Sequence, residues 1–277
     1  MRPSEVVRRG AEYLERHGVP SPEVNAERLM LTVLGTDRAA LLARTDGLTT
    51  AEAKAYGRAL CRRCTGTPLQ HLTEDEGFRR LVLTVRTGVF VPRPETEVVV
   101  EAALGSIDEL GSPLVVDLCT GAGTIALALA DEHPGARVWA TDVSAEAVAL
   151  ARENVGRLGL DVRVVQGDLF ASIPSDLRGT VDLLTCNPPY VAEEAAAELS
   201  PEVLADPPDA VFGGPDVYAR ILPEAFEWLR PGGVAALEIE ESLGETVTRI
   251  ARRAGFEEVH VRPDLNGRDR VVVARRP

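Results

Sequence analysis

The chain has 277 residues, of which 45% are hydrophobic and 26% charged, with a formal net charge of −13 at pH 7. These proportions are close to those of ordinary globular proteins, so they exclude a disordered or fibrous chain. The acidic balance argues against a stably bound nucleic acid, which needs a basic face to displace counterions from phosphates, although a local basic patch stays possible.

The beginning of the chain, Met1 to Arg9, lacks the apolar stretch of a signal peptide, and no run approaches the ~18 apolar residues of a membrane span. We therefore expect a cytoplasmic protein with no membrane association. The Cys61 and Cys64 pair has metal-like spacing, but it lies in a predicted helix and no second pair of ligands accompanies it. No metal site is expected.

The first 66 residues or so carry apolar residues at helical spacing and show no strand alternation. Ser21 followed by a proline predicts a helix start, and Gly35 predicts its end. Thr49 and Glu52 have the spacing of a capping box, in which each side chain satisfies a free backbone N–H. A small helical domain is predicted over residues 1–75.

A hairpin linker is predicted next, over residues 76–95. The apolar runs 78–85 and 89–91 flank Arg86-Thr87-Gly88, which is typical of a hairpin turn. Pro92-Arg93-Pro94 then forces an extended break, and this favours a domain junction.

The remaining residues, 96–277, alternate short β-rich runs with amphipathic helices. This alternation indicates βαβ units, so we predict an α/β fold with a doubly wound parallel sheet and helices on both faces. The chain ends differently, because the runs 259–261 and 271–274 are separated only by a longer turn. They predict an antiparallel pairing at the carboxyl end.

A glycine-rich turn follows the first strand of this domain. Residues 114–118 form an apolar run that leads into Cys119-Thr120-Gly121-Ala122-Gly123 and then a helix. Glycine lets the backbone approach a ligand, and a helix N-terminus offers free N–H groups and a positive dipole end. An anionic group, either a phosphate or the carboxylate of a methionine moiety, is therefore expected here.

Asp142 stands at the end of the second strand, where a carboxylate can accept hydrogen bonds from both hydroxyls of a ribose. A nucleoside cofactor follows from that position. Because Gly121, Gly123 and Ala126 also satisfy the dinucleotide pattern, this half of the site leaves both NAD and S-adenosylmethionine open and favours the second.

Asp168 and Phe170 follow the third strand at the same edge of the sheet. Asp168 is a candidate acceptor for the amino group of adenine, and Phe170 is a candidate cover for the adenine face. A solvated loop aspartate is the alternative interpretation of Asp168.

Asn187-Pro188-Pro189-Tyr190 follows the strand at 181–185 and is the most discriminating feature of the sequence. Two prolines stiffen the backbone and remove two N–H donors, so carbonyl acceptors remain. We predict that the Asn187 side-chain oxygen and the Pro188 carbonyl accept the two hydrogens of a target NH2, while Tyr190 packs on a flat, conjugated substrate. Such a nitrogen is a weak nucleophile, so positioning provides most of the catalysis and no dedicated general base is required.

The cofactor motifs and the amide-binding segment together predict transfer of a methyl group from S-adenosylmethionine to an amino group. Three other functions are alternatives to this prediction. An adenine amino-methyltransferase acting on DNA or RNA would present the same flat NH2 on a flipped base, but the acidic balance argues against it. An NAD-dependent oxidoreductase is favoured only by the glycine turn and leaves the Asn-Pro-Pro-Tyr segment unexplained. A non-catalytic binding module is disfavoured because every candidate position carries a competent residue.

Taken together, these motifs resemble the HemK-type (PrmC) release factor glutamine methyltransferases over nearly the whole chain. The matching segments are the cofactor motifs, 187–190, 68–71, 91–97, 212–216 and 265–270. The resemblance implies a class I methyltransferase with a Rossmann-like domain over 96–277 and S-adenosylmethionine as cofactor. The implied reaction methylates the side-chain amide nitrogen of the glutamine in the Gly-Gly-Gln motif of class 1 peptide-chain release factors.

The resemblance also implies roles for particular residues. Positions 119–123, Asp142, Phe170 and Asn187 would contact the cofactor, and positions 187–190 would hold the target glutamine. The N-terminal helices would help to dock the release factor. The chain departs from the family at Glu74, where glycine is common, and in the segments around 206 and 216, which puts partner docking rather than methyl transfer in question.

Overall fold

The computed structural model describes residues 1–277, which divide into two compact units. The first unit contains residues 1–75 together with residues 200–205, and the second contains residues 76–199 and 206–277. No helix in either unit is both long enough and apolar enough to cross a membrane.

The first unit is helical. Its helices are α1 (Pro3–Arg16), α2 (Pro22–Leu34), α3 (Arg38–Ala43), α4 (Thr50–Cys64) and α5 (Leu69–Thr73). Leu14, Leu29, Met30 and Tyr56 are buried in its core, and the Tyr56 hydroxyl donates a hydrogen bond to the carbonyl of Ala26. Helical periodicity therefore predicted the class of this unit correctly.

Two of the three predicted helix ends have the expected chemistry. The capping box before α4 is confirmed, because Glu52 N–H donates to Thr49 Oγ1 over 3.2 Å and Thr49 N–H donates to Glu52 Oε2 over 2.6 Å. Gly35 ends α2 with a left-handed φ of 57°. Ser21 precedes α2, but its backbone is left-handed and its side chain makes no capping hydrogen bond.

Residues 200–205 join the first unit around a buried arginine. Arg63 is 5% exposed and donates from Nε to Asn25 Oδ1 over 2.6 Å. Its guanidinium also pairs with Glu202, which lies far along the chain. The sequence pattern did not indicate that residues 200–205 belong to the first unit, because an ion pair between residues far apart in the chain leaves no periodic signal.

The hairpin turn was predicted at the wrong place. The two-stranded sheet pairs β1 (Asp75–Phe78) with β2 (Leu81–Thr84), and Arg79 forms the turn with a φ of 50°. Residues 89–91 are not a strand. Val91 N–H instead donates to the buried Asp206 carboxylate over 3.1 Å, so a side chain satisfies the group that a strand partner would have satisfied.

The second unit contains a seven-stranded sheet in the order β5-β4-β3-β6-β7-β9-β8. The strands are β3 (Leu114–Leu118), β4 (Arg137–Asp142), β5 (Val162–Gln166), β6 (Val181–Cys186), β7 (Leu229–Glu238), β8 (Glu257–Pro263) and β9 (Asp269–Arg275). The first five are parallel, and β9 is antiparallel to both of its neighbours. This confirms the predicted doubly wound sheet and its antiparallel C-terminal strand.

Helices cover both faces of the sheet. They are α6 (Glu97–Ile107), α7 (Thr124–Glu132), α8 (Ala145–Leu158), α9 (Pro208–Val211), α10 (Asp216–Trp228) and α11 (Gly244–Arg253). Val115 packs in one apolar layer with residues of α6, α7 and α8, whereas Val116 packs in the other with residues of α10 and α11. Both faces of β3 are therefore buried, which explains why its sequence is a continuous apolar run.

In the sheet, β3 has β4 on one side and β6 on the other, so the strands that follow β3 in the chain continue first on one side and then on the other. This is the point at which strand order reverses, and open α/β sheets bind ligands in the crevice beyond the carboxyl ends of the strands at such a point. The glycine turn follows β3, and the Asn-Pro-Pro-Tyr segment follows the adjacent strand β6. The fold therefore brings both segments to the same crevice.

Candidate active site

The glycine turn after β3 is held in a left-handed conformation. Cys119, Gly121 and Gly123 have φ values of 55°, 56° and 88°. A Cβ on Gly123 would approach Leu127 Cδ1 to 2.9 Å, whereas a Cβ on Gly121 would meet nothing within 4 Å. The turn is therefore tightly packed onto α7 at Gly123 and open at Gly121.

Asp117 supports this turn from below and was missed by the sequence analysis. It is fully buried in β3 and accepts hydrogen bonds from Thr120 Oγ1 at 2.6 Å and Thr185 Oγ1 at 2.7 Å. Burial raises the pKa of Asp117 to about 7, against the lowering effect of these hydroxyl donors. Asp117 could have been found from the sequence as the single carboxylate in an otherwise apolar strand, because a buried acid needs hydrogen-bond partners.

Asp142 lies at the carboxyl end of β4, next to the turn. Its Oδ2 accepts the Gly121 N–H and its Oδ1 accepts the Ser144 N–H, each over 2.9 Å. Burial raises its pKa, although these backbone donors act in the opposite direction. Each carboxylate oxygen can accept a further hydrogen bond, so the group can bind two neighbouring hydroxyls.

Two other turn residues have structural partners. The Thr120 N–H donates to the Thr141 carbonyl over 3.0 Å, which joins the turn to β4. Ala122 is 1% exposed, and its carbonyl accepts a hydrogen bond from Asn154 Nδ2 over 3.0 Å. These contacts fix the backbone of the turn before any ligand is present.

Asp168 and Phe170 are placed differently from each other. The Asp168 side chain is 62% exposed and accepts a hydrogen bond from Arg220 at 2.8 Å. Phe170 is 4% exposed and stacks on Trp228, with ring centroids 5.0 Å apart and an interplanar angle of 11°. Phe170 thus belongs to the core as well as to the edge of the sheet, and the adenine-binding roles of both residues remain predictions.

The Asn-Pro-Pro-Tyr segment begins directly after β6. Asn187 Nδ2 donates a hydrogen bond to Thr96 Oγ1 over 3.3 Å, and the Tyr190 hydroxyl donates to Glu238 Oε1 over 3.1 Å. Pro188 between them is buried. Both polar ends of the segment are thus tied to residues that the sequence analysis did not select, Thr96 and Glu238.

A close backbone approach holds the other side of this segment. A Cβ on Gly213 would lie 2.1 Å from the Pro189 carbonyl oxygen, so only glycine fits there. Val191 then exchanges backbone hydrogen bonds with Val211 and Gly213 over 3.0 and 3.1 Å. The segment 211–214 therefore packs against Pro189 and fixes the position of its backbone.

Glu238 is the second buried acid of the site. It is 2% exposed, and burial raises its pKa to about 7 despite the lowering effects of Thr96, Arg270 and Tyr190. Its Oε2 makes no hydrogen bond of normal geometry, while its backbone carbonyl accepts the Tyr218 hydroxyl at 2.7 Å. Burial also raises the pKa of Tyr190, so this phenol stays a hydrogen-bond donor at neutral pH.

Two free cysteines, Cys119 and Cys186, lie beside the site. Cys186 is fully buried, and burial raises the pKa of its thiol. No group of three or more His, Cys, Asp and Glu side chains is arranged to hold a metal ion.

Family models and curated relatives match this chain over most of its length. The Methyltransferase small domain model matches residues 88–261, and the PrmC N-terminal domain model matches residues 5–73. The release factor glutamine methyltransferase of Moorella thermoacetica is 42% identical over 98% of this chain and 96% of its own length. That of Deinococcus radiodurans is also 42% identical, over 95% of this chain and 94% of its own.

Two solved structures resemble the fold. The catalytic domain of hMettl16 has a TM-score of 0.57 at 17% identity, covering 82% of this chain and 81% of that one. A methyltransferase from Pyrococcus furiosus has a TM-score of 0.51 at 19% identity, covering 70% and 87%. At these identities the likeness concerns the fold alone.

Proposed function

We propose, since this chain belongs to the family of release factor glutamine methyltransferases, that it methylates the Gly-Gly-Gln glutamine of class 1 peptide-chain release factors on its side-chain amide nitrogen. The observation that carries the proposal is the position of Asn187-Pro188-Pro189-Tyr190. The segment follows β6, and β6 pairs directly with β3, the strand that leads into the glycine turn. The segment that we assign to the amide and the turn that we assign to the nucleoside therefore lie at one edge of one sheet.

The cofactor we propose is S-adenosylmethionine, which supplies an electrophilic methyl group on a positively charged sulfur. The residues present suit it. The open side of Gly121 and the N-terminus of α7 would receive the carboxylate of its methionine part, and Asp142 would accept both ribose hydroxyls. The backbone of Cys119, Thr120, Ala122 and Gly123 would line the methionine part.

For the adenine end, we keep the assignments made from the sequence. Asp168 has one carboxylate oxygen on Arg220 and an exposed side chain, so it retains an acceptor for an amino group. Phe170 would present an edge, since its ring already stacks on Trp228.

Binding of the target amide would depend on hydrogen-bond acceptors that the protein already holds in place. An amide nitrogen is a weak nucleophile because its lone pair is delocalised, so holding it in line with the methyl group is the main task of the protein. The Asn187 oxygen and the Pro188 carbonyl would accept its two hydrogens. Tyr190, anchored through its hydroxyl to Glu238, would offer its ring to the flat amide group.

The partner is also part of the proposal. Residues 5–73 match a domain model specific to this family, so we assign the first unit to docking of the release factor. An adenine amino-methyltransferase is the alternative, because a flipped base would offer the same NH2 to the same acceptors. The net charge of −13 argues against it, since nothing in that balance favours phosphates.

One experiment separates these functions. Labelled methyl transfer from S-adenosylmethionine would be measured on purified release factor, on its Gln→Ala variant in the Gly-Gly-Gln motif, and on unmethylated DNA and RNA. We expect label on the intact release factor alone. Label on the Gln→Ala variant would reject the glutamine as the target, and label on nucleic acid would favour the alternative.

A further inference from the structure

Thr96 interacts with two residues of the site. It is 2% exposed, immediately before α6, and its Oγ1 accepts the hydrogen bond from Asn187 Nδ2 at 3.3 Å. The Thr96 hydroxyl also lowers the pKa of the buried Glu238 carboxyl, although no hydrogen bond of normal length and angle joins the two. Thr96 thus binds the amide of Asn187 and influences a buried acid.

The direction in which the Asn187 amide faces decides whether it can serve the proposed reaction. An asparagine side chain has an acceptor oxygen at one end and a donor NH2 at the other. Only the oxygen can receive a hydrogen from the target amide nitrogen. If the amide turned by 180°, two NH2 groups would face each other and the target nitrogen would not be held.

Thr96 can enforce either direction, because its hydroxyl both donates and accepts. If its proton points away from Asn187, it accepts from Nδ2 and the amide oxygen is left for the substrate. If its proton points at Asn187, it binds the oxygen and the amide turns. The choice therefore depends on the other polar groups that interact with the Thr96 hydroxyl.

Glu238 is such a group. The Tyr190 hydroxyl donates to its Oε1, so this oxygen is occupied. Its Oε2 is buried and makes no hydrogen bond of normal geometry, so it is an acceptor still available to a neighbouring hydroxyl. The ionised form of this carboxyl accepts only, so in that form it cannot reverse the direction.

We propose that Thr96, directed by Glu238, is a positioning residue that keeps the Asn187 side-chain oxygen facing the nitrogen to be methylated. This inference rests on the proposed function, because it assumes that Asn187 accepts from the target amide. It adds two residues to the site that act through the Asn187 amide rather than by touching the substrate.

The direct test removes the hydroxyl without changing the shape of the side chain. Thr96→Val should lower kcat for methylation of the release factor roughly tenfold to a hundredfold, the range for misplaced reacting groups. The Kd of S-adenosylmethionine and the melting temperature should stay close to wild type. Thr96→Ser, which restores the hydroxyl, should recover most of the activity.

A matched control is Thr248→Val. Thr248 lies on α11, and its Oγ1 is buried without a hydrogen-bond partner, so the same substitution there removes a buried hydroxyl outside the site without breaking a hydrogen bond. Its kcat should equal that of the wild type. A Thr96→Val variant with wild-type kcat, or a Thr96→Ser variant as impaired as Thr96→Val, would overturn the proposal.

Glu238→Gln tests the direction of the hydroxyl. The glutamine oxygen would accept from Tyr190, which leaves its NH2 facing Thr96 and sends the Thr96 proton toward Asn187. We expect a loss of kcat similar to that of Thr96→Val, and a double variant no worse than the poorer single variant, because both changes act through one amide. Multiplied losses would show that Glu238 does not act through Thr96.

The proposed function and this inference fail in different ways. A wild-type protein that leaves the release factor unlabelled would reject both. A wild-type protein that labels it, with activity lost in Asn187→Ala but retained in Thr96→Val and Glu238→Gln, would reject only the positioning role. If Thr96→Val does not fold, Glu238→Gln decides the matter by the same kcat measurement.

Discussion

The carboxylate of Asp142 accepts a hydrogen bond from the backbone N–H of Gly121 over 2.9 Å. This bond joins the end of β4 to the open position of the glycine turn after β3. A ligand that fills the space beside Gly121 therefore lies against a carboxylate already fixed at both oxygens, because Ser144 N–H holds the second one. Cofactor affinity and the shape of the turn should consequently depend on the same residue.

Replacing Asp142 by alanine should mainly weaken cofactor binding. Two hydrogen bonds from ribose hydroxyls to a charged acceptor contribute about 1.5 kcal/mol each, so the Kd of S-adenosylmethionine should rise by about two orders of magnitude. Titration calorimetry would measure it. Asp176→Ala, at an exposed aspartate of the same unit, is the control. An unchanged Kd in Asp142→Ala would place the ribose elsewhere.

Two glycine substitutions in the turn should have different effects. Gly123→Ala should destabilise the protein by about 1 to 3 kcal/mol, because φ is 88° and the new Cβ would lie 2.9 Å from Leu127 Cδ1. Gly121→Ala meets no atom within 4 Å, so its loss of stability should be smaller, while its Kd for S-adenosylmethionine should rise. Thermal melting and calorimetry would measure both. Equal cofactor affinity in Gly121→Ala and wild type would mean that this space does not hold the ligand.

Asn187→Ala should separate catalysis from cofactor binding. Without its acceptor oxygen, the target amide is no longer held, so kcat should fall by about two to three orders of magnitude, as when a fixed polar group is removed from a reacting centre. Cofactor affinity should change by much less. Single-turnover methyl transfer and calorimetry on the same preparation would measure the two effects. A drop in cofactor affinity as large as that of Asp142→Ala would contradict this division of roles.

The buried acid Glu238 should make stability depend on pH. Because burial raises its folded pKa from 4.5 to about 7, its protonated form stabilises the fold at low pH. That contribution, about 3 kcal/mol, is lost as the pH rises from about 4.5 through about 7. Glu238→Gln cannot ionise, so its free energy of unfolding should exceed that of wild type increasingly over this range. Urea denaturation at several pH values would measure it, and parallel pH curves for the two proteins would exclude the effect.

Glu74→Gly should stabilise the protein. Glu74 ends α5 with a φ of 59°, a left-handed conformation that costs a residue with a side chain about 1 kcal/mol relative to glycine. The melting temperature should rise by roughly 2 to 4 °C. Glu76→Gly, two residues further along in β1, should lower it, since glycine weakens a strand. A lower melting temperature for Glu74→Gly would show that its side chain contributes more than its backbone costs.

Local patterns predicted the elements that depend on neighbouring residues. The alternation of β-rich runs and amphipathic helices predicted the doubly wound sheet, and the spacing of Thr49 and Glu52 predicted the capping box. The prediction of the hairpin turn was wrong because Arg86-Thr87-Gly88 has turn-like composition, whereas the turn that forms has Arg79 at a φ of 50°. Turn composition cannot show which of two candidate turns finds a partner for its flanking strands.

The site shows the same division. The glycine turn, Asp142 and the Asn-Pro-Pro-Tyr segment were recognisable because each directly follows a strand. Thr96 was visible as part of the family-like segment 91–97, but its role and that of Glu238 were not, because each belongs to a different part of the chain and matters only through its contact with Asn187 or Tyr190. Gly213 was visible as part of a family-like segment, but its function as a close neighbour of Pro189 was not.

The sequence by itself determined the alternation of strands and helices, the glycine turn and the Asn-Pro-Pro-Tyr segment after a strand, because periodicity and short motifs depend on residues adjacent in the chain. Only the tertiary structure decided which buried polar groups share hydrogen bonds: Asp117 with Thr120 and Thr185, and Glu238 with Tyr190. The physical reason is that burial makes an unpaired polar group costly, so each must find a partner, and its partner is chosen by packing in space.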